Sequence, residues 1–195
     1  LVIAADVEFR EDENGYPTWD VPKHMPKDVF TFCRVQYNSS RHDSWRIDFP
    51  DADKNISFRL QQLTSMQVNP TPASCSLLDR EELAKYPFLY MVEPGGMSLT
   101  RPEIENLRYY LDHGGFLLVD DFWGEEQWNG FFRDFSQVFP DRDYKELDVD
   151  HPIFHIVFDL NEKPQVPSIG IAIAGKEEGL TFESQFGESA REVHY

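Results

Sequence analysis

The chain has 195 residues, enough for one domain with a sizeable core, and 41% of them are hydrophobic. Its 35 Asp and Glu against 18 Lys and Arg give a net charge of -17. That balance makes duplex nucleic acid or an anionic membrane surface a poor electrostatic partner and leaves neutral or cationic ones. No run approaches the roughly 18 apolar residues of a membrane-spanning helix, and no cofactor is expected.

Leu1 to Ala5 reads equally as a short first strand or as the tail of a signal peptide with a small-residue cleavage site. Residues 6 to 30 carry acids, Gly15, Pro17, Pro22 and Pro26 with little periodicity. Residues 1 to 28 are therefore expected to form an N-terminal arm or extended lead-in segment, and residues 29 to 195 an α/β domain. Residues 30 to 37 alternate Phe, Cys and Val with polar partners and read as the first strand, followed by a polar loop from Asn38 to His42. Cys33 reads as buried and inert, whereas Cys75 falls in a Pro/Ser-rich connector; two cysteines so far apart in sequence need not meet. With no CxxC and no Cys/His cluster, no structural zinc site is expected. Residues 45 to 54 look turn-like, and Asp48, Asp51 and Asp53 read as turn and cap residues, because the Gly and final Glu of a calcium loop are missing. Asn55 is expected to cap a helix with Ile56, Leu60, Leu63 and Met66 as a single apolar stripe and Arg59, Gln61 and Gln62 facing away. A short strand near residues 66 to 68 comes before the break at Asn69-Pro-Thr-Pro72, and Asp79 with Glu82 has capping-box spacing for a brief helix ending near Lys85.

The segment from Tyr86 to Gly124 then reads as strand, loop, helix, strand. Its two apolar runs are continuous, which suits parallel strands buried on both faces, and they stop at Glu93 and at Asp120-Asp121. Between them Thr100 and Glu103 make a capping box, Ile104, Leu107 and Leu111 a stripe, and Gly114-Gly115 a stop. Beyond, Trp128, Phe131, Phe132, Phe135 and Val138 give a helix with an aromatic face, read as core packing. Residues 144 to 149 are expected as an edge strand, and Ile169, Ile171 and Ile173 alternate as another. The ending at Glu192-Val-His-Tyr195 looks like the middle of a strand, so a truncated chain is expected.

Parallel strands share a heading, so the acids at their ends border one sheet edge, where open α/β sheets bind ligands. Glu93-Pro-Gly-Gly96 puts flexible backbone after a strand, either to cradle an anion or oxyanion or as a plain turn. Asp120 and Asp121 point oppositely along a strand, and one of them with Glu93 would make a two-carboxylate arrangement for acid/base work or a hard cation. If Pro152 opens a turn capped by Asp150, His151 and His155 share a face; in a strand they would lie about 13 Å apart, too far for one ion. The catalytic candidates are thus Glu93, Asp121 and His151, with no metal called for. Asn38, Trp45, Arg46, Gly95, Gly96, Asp120 and Trp123 are the ligand-binding candidates; an Arg46 beside acids suits a carboxylate or a sugar hydroxyl.

Residues 45 to 53, 59 to 64, 86 to 96, 114 to 124 and His151-Pro-Ile-Phe-His155, with Tyr37, resemble the bacterial domain of unknown function 4159 over about residues 29 to 167. The resemblance implies a class I glutamine amidotransferase-like fold, that is, an α/β three-layer sandwich on a mainly parallel flavodoxin-like sheet. It also implies an extracytoplasmic place in the bacterial cell envelope, as part of or bound to a membrane-anchored protein. In the amidotransferase pattern a Gly-Gly loop supplies oxyanion donors and a Cys follows the next strand. Gly95-Gly96 matches the first element, but Asp120-Asp121-Phe122 stands where the Cys would be, so thiol acyl transfer is not expected. The likeness extends to trehalose-utilisation-type members of that fold, which implies a sugar-related ligand. The resulting expectation is a ligand-binding or assembly module with a small-molecule or protein partner, the alternative being a carboxylate- or metal-assisted hydrolase of a sugar-like or amide substrate.

Overall fold

In the computed structural model, which describes residues 7–21, 28–40, 44–156, 158–163 and 169–176, the chain starts with an antiparallel hairpin of β1 (Arg10–Glu11) and β2 (Pro17–Thr18). Its turn is built locally: the Asp12 carboxylate accepts the N–H groups of Asn14 (2.9 Å) and Tyr16 (3.0 Å), and Gly15 supplies the positive φ of 83°. Of the segment read as an aperiodic arm, residues 7 to 21 therefore carry a hairpin, and it docks on the rest of the chain. Trp19 donates its indole N–H to the Val68 carbonyl at 2.8 Å, and the Phe9, Trp19 and Phe58 rings pack edge to face or tilted.

The expected first strand is split. β3 (Val29–Phe30) pairs in parallel with β5 (Gln67–Val68), and β4 (Cys33–Gln36) enters a separate four-strand parallel sheet. After a 3₁₀ turn at Ser44–Arg46 comes α1 (Asp51–Leu63). Its cap position is Pro50, not Asn55. β6 (Ala73–Ser76), a short α2 (Arg80–Leu83) and β7 (Phe88–Val92) follow, then α3 (Arg101–Asp112), β8 (Phe116–Asp120) and α4 (Gly124–Phe135). Cys75 thus lies in a strand, not a connector; four residues of Ala, Ser and Cys carry too little periodicity to announce one. Pairing runs Cys33↔Ala73 to Gln36↔Ser76, Arg34↔Tyr90, and Phe88↔Phe116 to Val92↔Asp120, giving the spatial order β6-β4-β7-β8.

The two apolar runs are parallel neighbours, as their sequences predict. β7 is buried, with Leu89 and Met91 fully so, but β8 has only β7 as a ladder neighbour among the described strands. Leu117 and Val119 pack on the core while Phe116 stays 56% and Leu118 43% exposed, which corrects the expectation of two-sided burial. A continuous apolar run shows that both faces tolerate burial, not that both are covered.

Side chains alternate along β4, so its two faces meet different layers. Cys33 and Val35 join Leu89, Met91, Ile104, Leu107, Tyr110 and Phe131 in the main core, which α3 and α4 cover. The local signals for α3 are realised: the Glu103 carboxylate accepts from the Thr100 N–H (2.7 Å) and hydroxyl (2.6 Å). On the other face Arg34 meets α1. Both partners are almost wholly buried in the fork–fork pair of Arg34 with Asp53, Nε–Oδ1 3.0 Å and Nη2–Oδ2 2.6 Å. Asp53 is therefore no turn residue. Burial pushes its carboxyl above the ordinary value, and the Arg34 charge opposes that shift.

This pair rotates α1 against its apolar pattern. The buried positions are Asp53, Ser57 and Gln61, spaced at i, i+4 and i+8, while Ile56, Leu63 and Met66 of the expected stripe are exposed. Each buried polar group has a partner: the Ser57 hydroxyl donates to the Asp53 carbonyl (2.8 Å), and the Gln61 Oε1 accepts the Val68 N–H (2.8 Å). Later segments also differ from expectation. Residues 144 to 149 form no strand, and Ile169–Ala174 is a short helix, α5, since alternation over six residues with two alanines does not exclude a helix. The ending at 192 to 195 lies outside the described residues.

Candidate functional site at the carboxyl edge of the sheet

Chain order across the sheet reverses between β4 and β7: after β4 the chain goes outward to β6, then returns to β7 on the opposite side. At such a switch point the loops leaving the two strands part and open a crevice. The loops concerned run from Tyr37 to Ser40 and from Glu93 to Met97, and they are stitched together. The Gly96 carbonyl accepts the Ser40 N–H (2.8 Å) and both the Ser39 (3.2 Å) and Ser40 (3.1 Å) hydroxyls, and the Asn38 carbonyl accepts the Ser98 N–H at 2.8 Å. Beneath, the Tyr37 hydroxyl sits 2.6 Å from the Val92 carbonyl and 2.9 Å from that of Glu93. Burial pushes its pKa up, so it remains a protonated donor.

The glycines have a packing reason. A Cβ on Gly95 would lie 2.5 Å from that of Gln127, and one on Gly130 would lie 2.0 Å from the Gly95 carbonyl, so α4 touches the loop backbone directly. Between loop and helix is a groove of about 320 Å³, lined among others by Ser40, Gly95, Gly96, Glu126, Asn129 and Arg133. Glu126, Asn129 and Arg133 are spaced i, i+3, i+7 on α4, opposite the aromatic face that enters the core. Arg133 is held by its Nε bond to Asp134 (2.8 Å) and its Nη2 bond to the Met97 carbonyl (3.1 Å), while its side chain stays 63% exposed. Of the other hollows, one of about 230 Å³ between Tyr86, Tyr109, Tyr110 and His113 lies at the opposite, amino end of β7 and β8.

Gly95 and Gly96 line this groove. Glu93 and Asp121 end adjacent strands in the left-handed backbone region, at φ 50° and 58°, and the Glu93 N–H donates to the Asp120 carbonyl at 3.0 Å. Asp120 is engaged on both oxygens, by the Tyr90 hydroxyl (2.9 Å) and the Asp121 N–H (2.8 Å). Asp121 accepts the Trp123 indole N–H at 2.9 Å, and the Trp123 backbone N–H donates to Gln127. Trp45 is half-buried against Phe49, with the Arg46 guanidinium 5.8 Å over its ring. Exposed His151 caps a 3₁₀ turn, Pro152–His155, its Nδ1 accepting the Ile153 N–H at 3.3 Å. Pro152 does open a turn, but His151 takes the cap position expected for Asp150. Among the described residues no group of three or more His, Cys, Asp or Glu could hold a metal ion, so Glu93, Asp121 and His151 do not converge as one metal site.

Sequence reasoning missed Glu126, Asn129 and Arg133, because the aromatic face of α4 dominated the reading; their own helical spacing was the available signal. It also missed Arg34, whose Nη1 donates to the Trp45 (3.2 Å) and Ile47 carbonyls and so fixes the loop that carries Trp45 and Arg46.

Fold and groove define a mixed α/β protein with a four-strand parallel sheet and a polar cleft at the carboxyl edge. Residues 31–193 match the family described as Domain of unknown function (DUF4159), and the chain belongs to that family. No curated protein matches it. Among the described residues no helix is long and apolar enough to cross a membrane.

Proposed function

We propose that this domain is a ligand-binding or assembly module of the bacterial cell envelope, with a class I glutamine amidotransferase-like, flavodoxin-like three-layer sandwich that lacks the nucleophilic Cys. Its ligand is a neutral polar molecule rich in hydroxyl or amide groups, held between the Gly95-Gly96 loop and α4. The carrying observation is the polar groove beside the switch point, where a carboxylate, an amide and a guanidinium from one face of α4 meet the Gly95-Gly96 backbone and Ser40. The order second-first-third-fourth of the sheet strands supports the fold, since a flavodoxin-like sheet has that order in its first four strands. The envelope location rests on the resemblance to the family alone; fractionation of the native host that finds the protein only in the cytoplasm rejects it. For the ligand, thermal shift and calorimetry against neutral mono- and disaccharides and short uncharged peptides should find a binder. Asn129→Leu, at an exposed position of α4, should lose that binding while melting as the parent does; silence across the panel rejects the reading.

A second reading, a carboxylate-based hydrolase of a sugar-like or amide substrate, is favoured by Glu93 and Asp121 ending adjacent parallel strands. Under it Asp121→Asn abolishes turnover at an unchanged melting temperature, whereas a binding module shows no turnover to lose.

A further inference from the structure

Cys33 and Cys75 stand on neighbouring strands, β4 and β6, and both are buried, at 0% and 2% exposure. Their register partners are Ala73 and Val35, so the thiols approach diagonally across the ladder, and their Sγ atoms are 3.2 Å apart. We propose that this pair is an oxidation site: Cys33 and Cys75 close an internal disulfide that staples the edge strand β6 to β4. A disulfide requires about 2.05 Å between sulfurs, so the atoms must close by roughly 1.2 Å. The strand best able to supply that movement is β6, which has only β4 as a ladder neighbour among the described strands. The bridge would join positions 42 residues apart and enclose α1 with the Arg34–Asp53 pair in one covalent loop. The site is distinct from the groove and independent of the ligand proposed for it.

The reaction is thiol–disulfide exchange with a small disulfide oxidant such as oxidised glutathione. One cysteine thiolate attacks the oxidant's S–S bond, releasing one glutathione thiolate and leaving a mixed disulfide. The other cysteine, as thiolate, attacks the protein sulfur of that bond and expels the second glutathione. Two protein thiols lose two protons and two electrons, and the oxidant leaves as two thiols. The hydrogen bond to Cys75, with burial, pushes the Cys33 thiol well up, so the folded, reduced pair reacts slowly and oxidation belongs to folding.

The test is refolding of the full chain from denaturant, with oxidised glutathione in one arm and excess dithiothreitol in the other, followed by alkylation under denaturing conditions and intact mass. The oxidised arm should give a monomer lighter by two hydrogens with no alkylated cysteine, melting roughly 10 °C above the reduced arm, as expected for a loop of this length in a chain of this size. Two alkylated cysteines, a retained glutathione adduct or a cross-linked dimer in the oxidised arm overturns the proposal. Cys75→Ala should abolish the redox dependence of melting, and persistence of that dependence also overturns it. If the variant does not fold, the two wild-type arms still decide.

Discussion

The two faces of the four-strand sheet are held by different forces. Under α3 and α4 the contact is hydrocarbon: Leu107, Leu89, Met91 and Val35 are fully buried and contribute through area removed from water. Under α1 the centre is the ion pair of Arg34 and Asp53, flanked by the Phe49 and Tyr90 rings at 5.6 and 5.4 Å from the guanidinium carbon. An apolar face tolerates small losses in proportion to the atoms removed. An ionic face behaves differently, because one missing partner leaves the other charge buried and alone.

The largest effect should come from breaking that pair singly. Asp53→Asn or Arg34→Met is expected to destabilise by about 3–5 kcal/mol in chemical denaturation, and the double change Arg34→Met with Asp53→Leu to recover most of the loss. Single losses under about 1 kcal/mol would show that α1 is not held by the pair, since that is the range of exposed ion pairs. Next, Leu107→Ala on the hydrocarbon face should cost about 3 kcal/mol, whereas Leu63→Ala, 79% exposed on the outward stripe of α1, should change stability by no more than about 0.5 kcal/mol. Equal costs at the two leucines would mean that the stripe of α1 is covered in solution.

The smallest effect concerns the hairpin docked on α1. The Lys54 ammonium, 2.7 Å away, and the Tyr16 N–H hold the Asp12 carboxyl below its ordinary value of 3.8. An acid whose folded value is lowered adds stability that is present above the unfolded value and lost as pH falls through the folded one. The docking of the hairpin should therefore loosen only at pH below about 3.8, and Lys54→Met should move the Asp12 midpoint up. Carboxyl NMR titration reads this directly; a midpoint at or above the ordinary value breaks the assignment.

The contrast between α3 and α1 also shows what was legible in sequence. The ends of α3 are written in neighbouring residues, Thr100 with Glu103 at one and Gly114, at φ 92°, at the other, and its buried Ile104 and Leu107 are the residues its periodicity selects. The stripe of α1 was equally regular and pointed outward, because its orientation is decided by Arg34, 19 residues from Asp53 and on a different element. The groove was half legible: its Gly-Gly loop follows a strand and was found, while Glu126, Asn129 and Arg133 acquire meaning only when α4 is laid against that loop.

By itself the sequence determined the parallel pair of β7 and β8, the helix between them, the absence of a Cys at the turn that follows, and membership of the family. Each is carried by residues close together in the chain, where hydrogen-bonding partners and apolar spacing are fixed by local geometry. Only the tertiary structure decided which side of α1 is buried, which strands lie outermost among the described ones, that Cys33 meets Cys75, and where the polar groove opens. Those depend on contacts between residues distant in sequence, and a desolvated charge with a good partner outweighs a helix's own pattern.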